Sequence, residues 1–178
     1  MRDIYLGDSY DLVKRFWADT LAPVGRLFAH HKFIPNEIRA DYTRVTGVPV
    51  LVSEERITTP FGILMDPNTG IPLPTETRTS ASSSHAPLPF IVQEIGRLNP
   101  AYVICFDQSR HRKRDLDQVG QRDSKRAFLT EYGIQSFYYV SHAPFLFLAS
   151  DAQVLKAIRL RLESCGIPRW RFESEVSR

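Results

Sequence analysis

Phe61-Gly62-Ile63-Leu64-Met65-Asp66-Pro67-Asn68-Thr69-Gly70 opens on five residues with no polar alternation and closes on turn chemistry. A short run that is apolar throughout predicts a strand buried on both faces, as central parallel strands are. The Asp-Pro-Asn-Thr-Gly that follows predicts a turn: proline fixes the backbone and glycine permits a positive φ. Three further runs share this form. Ile4 to Gly7 stops at Asp8, Tyr102 to Phe106 at Asp107, and Phe137 to Val140 at Ser141-His142. In an open α/β sheet the carboxyl ends of the strands line one crevice, so these polar residues are expected to meet there.

Helical spacing fills the intervals. Leu12, Val13, Phe16, Trp17 and Leu21 form one apolar stripe, capped by Asp8 or Ser9 and stopped by Pro23 and Gly25. Arg26 to His31 reads as a strand, Asn36 caps a short helix ended by Gly47, and Val48 to Val52 is β-branched enough for another strand. A helix is predicted from about Pro89 to Leu98. Another, capped by Ser124, ends at Gly133, and a last one is capped by Ser150-Asp151. Ile134 to Val140 and Phe145 to Ala149 predict an antiparallel hairpin. The expected fold is therefore an α/β, three-layer, Rossmann-like sandwich with a mostly parallel sheet and a C-terminal antiparallel hairpin. At 178 residues and 43% hydrophobic composition it is expected to be a single domain, residues 1–178. A flexible Pro/Thr/Ser-rich insertion is expected at about 67–88.

The composition narrows the function classes. No stretch reaches the roughly 18 consecutive apolar residues that would cross a bilayer. The first residues lack the apolar centre of a secretory signal, so a cytoplasmic protein with no membrane partner is expected. Cys105 and Cys165 have no close spacing, which suggests neither a disulfide framework nor a zinc cage, and both read as small buried hydrophobes. The net charge is +3, carried by 18 arginines and five lysines. Arginine's planar fork matches phosphate oxygens, although a compositional bias toward arginine would look the same.

Each candidate site residue has a functional and a plain reading. Asp8 is a candidate metal ligand and an ordinary helix cap. Lys14 and Arg15 reach toward a phosphate, or pair with Asp11 on a solvated helix face. Asp66 is either a ligand to a hard cation or the start of an Asx-type turn. Asp107, followed by Arg110, His111, Arg112, Lys113 and Arg114, is suited to hold a metal while the basic residues neutralise phosphate. The plain reading there is a solvated charged loop. His142 is a proton carrier or closes a turn, and His85 could reach the same crevice. His30 and His31 are expected to point to opposite faces of their strand.

The leading expectation is a metal-dependent phosphodiesterase, a nuclease acting on nucleic acid. Asp8, Asp66 and Asp107 would hold Mg²⁺ or Mn²⁺, with His142 carrying the proton. Lys14, Arg15, Arg110, Arg112 and Lys113 would bind phosphate. Asp66-Pro67 also resembles the Asp-Pro-Pro segment of amino-methyltransferases, which implies a transferase using the Asp66 segment for substrate and Asp8 for cofactor. Gly7-Asp8-Ser9-Tyr10-Asp11 has only one glycine, however, and lacks the glycine-rich loop that such an enzyme uses for its cofactor. The third class is a non-catalytic module that binds nucleic acid or a nucleotide.

Overall fold

The computed structural model describes residues 6–52, 57, 60–75, 79–109 and 117–173. Among these residues, five α-helices surround one seven-stranded sheet: α1 Ser9–Leu21, α2 Arg39–Thr46, α3 Leu88–Leu98, α4 Gln118–Glu131 and α5 Ala152–Ser164. The strands are β1 Arg26–His30, β2 Val50–Leu51, β3 Phe61–Met65, β4 Tyr102–Phe106, β5 Gln135–Tyr139, β6 Phe145–Ala149 and β7 Phe172–Glu173. Their order is β2-β1-β3-β4-β6-β5-β7. β2, β1, β3 and β4 run parallel, whereas β6 lies antiparallel to β4 and β5, and β7 antiparallel to β5. β3 and β4 are buried along their whole length, which is why neither alternates in polarity. No described helix is long and apolar enough to cross a membrane.

The core is built around aromatic packing. Trp17 on α1 sets its ring edge-on to Tyr139, Phe145 and Phe147, with centroids 5.1, 5.9 and 5.4 Å away, and so fastens α1 to β5 and β6. Tyr102 lies so close to Gly62 that a Cβ there would fall 2.2 Å from its ring. The Tyr102 hydroxyl crosses β3 to donate to the Gly25 carbonyl at 2.8 Å. α1 packs on α2 and α5, and α3 packs on α4.

Several expectations are corrected. Leu6 and Gly7 form a turn, not the end of a strand, and the rest of that predicted strand lies outside the described residues. α4 starts six residues before Ser124, capped by Asp117, whose side chain accepts from the Gly120 amide at 2.7 Å. Asp117 outcompetes Ser124 because it offers a carboxylate directly at the positive end of the helix. His31 leaves the strand for a 3₁₀ turn, so its ring stacks on that of His30, with centroids 4.8 Å apart. Cys105 is buried but Cys165, at the end of α5, is exposed.

Part of the Pro/Thr/Ser-rich stretch is bonded to the end of β4: the Thr69 carbonyl accepts from the Gln108 amide at 2.9 Å, and the Ile71 amide donates to Asp107 Oδ1 at 2.9 Å. The amides of Asn68, Thr69 and Gly70 donate to Ser83 and Ser84, Gly70 bridges His85, and Ile71, Leu73, Ala86 and Leu88 are buried. Residues 76–78 of this stretch lie outside the described residues.

Candidate functional site: two lysine-held aspartates at the sheet's carboxyl edge

β3 and β4 each end in an aspartate, and their register sends the two side chains to different places. Met65 pairs with Cys105, so Asp66 lies beside Phe106, and Asp107 is one residue further along. Because side chains alternate faces along a strand, Asp66 and Phe106 share one face and Asp107 takes the other. The packing agrees. Asp66 meets Lys14 of α1, with Nζ 2.6 Å from Oδ2, whereas Asp107 meets Lys125 of α4, with Nζ 2.7 Å from Oδ2.

The Asp66 side begins at the start of α1. Asp8 caps the helix, accepting from the amides of Tyr10 and Asp11 at 2.8 and 3.2 Å. Asp11, in the first turn, accepts from the Gly7 amide at 2.7 Å and from Lys14 Nζ at 2.9 Å. Lys14 is thus clamped between two carboxylates and is 4% exposed. It is not on a solvated helix face, and its ammonium is turned inward to carboxyl groups instead of outward to phosphate. Burial by itself would lower the Lys14 pKa, but the negative charges of Asp66 and Asp11 outweigh it and hold the group above its ordinary value. Burial also pushes the Tyr42 hydroxyl, 3.4 Å from Asp66 Oδ2, well above the ordinary tyrosine range, and the Asp66 charge adds to this. Arg15, one residue on, is directed away and donates to the Val45 carbonyl at 3.1 Å.

Asp8, Lys14 and Asp66 floor an open cavity of about 390 Å³, with Asp11 buried behind Lys14. Tyr10 and Phe106, edge-on at 5.5 Å, form an aromatic wall. Asp8, Asp66, Asn68, Thr69, Ser84 and Gln108 supply polar groups around it. Lys14 and Tyr42 both bond Asp66 through Oδ2, so Oδ1 is without a hydrogen bond among the described residues. Among the described residues, three carboxyl groups, of Asp8, Asp11 and Asp66, stand against the one ammonium of Lys14, a formal charge of −2. That balance favours a cation or an amino group over a phosphate.

Asp107 is saturated. Oδ1 accepts from the Ile71 amide at 2.9 Å, the Ser109 amide at 3.2 Å and the Ser109 hydroxyl at 2.5 Å. Oδ2 accepts from Lys125 and from the Tyr138 hydroxyl, both at 2.7 Å. A carboxylate has about four lone-pair sites, so a metal ion would have to displace one of these donors. Gly70 permits this packing: its φ is +132°, and a Cβ would fall 2.4 Å from Asp107 Oδ1. Burial raises the Tyr138 hydroxyl well above the ordinary tyrosine range, with the neighbouring carboxylate adding to it.

A second cavity, of about 260 Å³, opens beside Asp107 between the start of α4 and the Val140–Pro144 turn. His142 lines it and closes that turn, and its carbonyl accepts from Gln108 Nε2 at 2.8 Å. Gln108 also donates to the Tyr10 hydroxyl at 2.7 Å and lines both cavities.

Of the sequence-predicted residues, Asp8, Lys14 and Asp66 therefore share the first cavity, Asp107 and His142 the second, and Arg15 neither. Arg110, Arg112 and Lys113, with His111 and Arg114, lie outside the described residues. No group of three or more His, Cys, Asp or Glu side chains is arranged to hold a metal ion among the described residues. Sequence reasoning places Ser109 beside Asp107 but misses Lys125 and Tyr138 as its partners and Tyr10 as a cavity wall. Only Ser109, two residues from Asp107, carried a local signal. Compared with protein-family models, curated proteins and solved structures, the chain has no match.

Proposed function

We propose that this protein binds nucleic acid or a nucleotide through the first cavity, which takes an amino-bearing nucleobase. The observation that carries this reading is the combination of the Tyr10–Phe106 wall with the open Oδ1 of Asp66 and the formal charge of −2 beneath it. A base stacks on aromatic faces, and its exocyclic amine donates to a carboxylate or amide oxygen. Lys14 keeps Asp66 in one orientation, so that the acceptor is set before the ligand arrives. The volume of about 390 Å³ lies within the range of small-molecule sites. The division of helices into two packed groups, and cavities at the carboxyl edge of parallel strands, support a three-layer Rossmann-like arrangement in which such a ligand is expected.

A methyltransferase-like transferase is a second reading, favoured by Asp66-Pro67-Asn68 on the cavity floor. The residues after β1 do not fit the methyl-donor cofactor. His30-His31-Lys32-Phe33 stands where a glycine-rich loop would be needed, and His30 is buried against Glu94 at 3.1 Å. A Mg²⁺- or Mn²⁺-dependent phosphodiesterase would have Asp8 and Asp66 in a common cavity, with Asp107 on the other face. Thermal unfolding with adenosine, cytidine, S-adenosylmethionine or Mn²⁺ separates the three. Stabilisation by the amino-bearing nucleosides supports base binding, and a response only to S-adenosylmethionine or only to Mn²⁺ replaces it with the transferase or the phosphodiesterase.

A further inference from the structure

The second cavity differs from the first in charge and in donors. Arg122 and Lys125 line it, and the one carboxylate on its wall among the described residues, Asp107, already accepts from five donors. Arg122 gives Nε and Nη2 to Glu173 at 2.7 and 2.8 Å, which leaves Nη1 without a partner among the described residues. Lys125 has three ammonium hydrogens and two acceptors, Asp107 Oδ2 and the Ser109 hydroxyl at 2.8 Å. With a third donor unfilled among the described residues, a lysine 2% exposed on a cavity wall calls for an acceptor in that cavity. Gln118 and Gln121, in the first turn of α4, lie beside it, where the helix dipole favours an anion.

We infer that the second cavity binds the phosphate of the nucleotide whose base occupies the first, so that the ligand is a nucleoside phosphate laid across the sheet's edge at Gln108. This rests on the base-binding reading above. Gln108 is the joint because it lines both cavities and is held from both sides, by Tyr10 and by the His142 carbonyl. The charge supports one orientation: the cavity lined by Asp8 and Asp66, with Asp11 buried behind Lys14, takes the amine, and the cavity with the open arginine and lysine donors takes the phosphate.

The test compares adenosine with adenosine 5′-monophosphate by isothermal titration, on wild type and on Arg122→Gln. The phosphate is expected to tighten binding about tenfold in wild type and to do so less at high salt. In Arg122→Gln that gain is expected to fall below about twofold, with adenosine affinity unchanged. Loss of the Glu173 pair could unfold that variant, so Gln118→Glu, at an exposed helix start, gives a second route: its added negative charge should also remove the gain. Equal affinity for the two ligands, or a phosphate gain untouched by both variants, overturns this inference and leaves base binding standing. Failure of both ligands to bind overturns both. Tighter binding of single-stranded oligodeoxyadenylate than of the monophosphate supports the inference and identifies a strand as the source, and equal binding supports it with the free nucleotide as the source.

Discussion

Lys14 and Asp66 lie 52 residues apart in the chain and 2.6 Å apart in space, joining the first helix to the end of a central strand. Neighbouring β4 repeats the arrangement with Asp107 and Lys125. A buried ion pair gives little net stability over an apolar replacement, but removing one partner strands a charge out of water. Each lysine therefore fixes its aspartate more than it strengthens the fold.

Lys14→Met should destabilise the protein by about 3–5 kcal/mol, since it leaves the carboxylates of Asp11 and Asp66 buried without their cation. Lys14→Met combined with Asp66→Asn should recover part of that loss. Urea unfolding of the two variants measures it, and a double variant less stable than the single one would refute the pairing.

Asp107→Asn should lower stability by about 2–4 kcal/mol, because an amide nitrogen cannot accept from Lys125 and Tyr138, and the ammonium loses its counter-charge. Asp66→Asn should cost less, as Asp11 still neutralises Lys14, and should mainly weaken ligand binding. Denaturation midpoints that rank the two variants the other way would contradict the roles given to these residues.

Stability should be greatest between about pH 6.5 and 10. Burial lowers His30 below its ordinary 6.5 against the pull of Glu94, so its contribution is present above 6.5 and is lost as pH falls through the folded value. Glu94 is also held low: its burial opposes this, but hydrogen bonds from Arg97 and His30 prevail, so a second loss follows below 4.5. On the alkaline side Tyr42 and Tyr138, raised by burial from 10.0, and Lys14, raised from 10.5, contribute stability below those values that is lost as pH rises. Thermal midpoints across this range check the window, and His30→Gln should flatten the first acid step.

Much of the fold was legible in the chain. Phe61–Met65 and Phe145–Ala149 are strands with the predicted bounds, because continuous apolar runs between turn residues have few other ways to bury themselves. Asp151 caps α5 through a purely local bond to the Gln153 amide, which sequence reasoning can see. The site was less legible. That Asp66 and Asp107 end strands follows from the runs before them, but their assignment to opposite faces depends on a one-residue offset in register, which only the sheet fixes. Lys14 read as a surface residue because Asp11 sits one turn away. Its burial depends on Asp66 and Tyr42, distant in sequence. Lys125 gave no signal, since nothing near it in α4 points to Asp107.

The most direct test is calorimetric titration with adenosine and inosine, which differ at the exocyclic amine. The account predicts that adenosine binds about tenfold or more tightly than inosine, and that Tyr10→Ala weakens both by removing the aromatic wall. Equal affinity for the two nucleosides would contradict it.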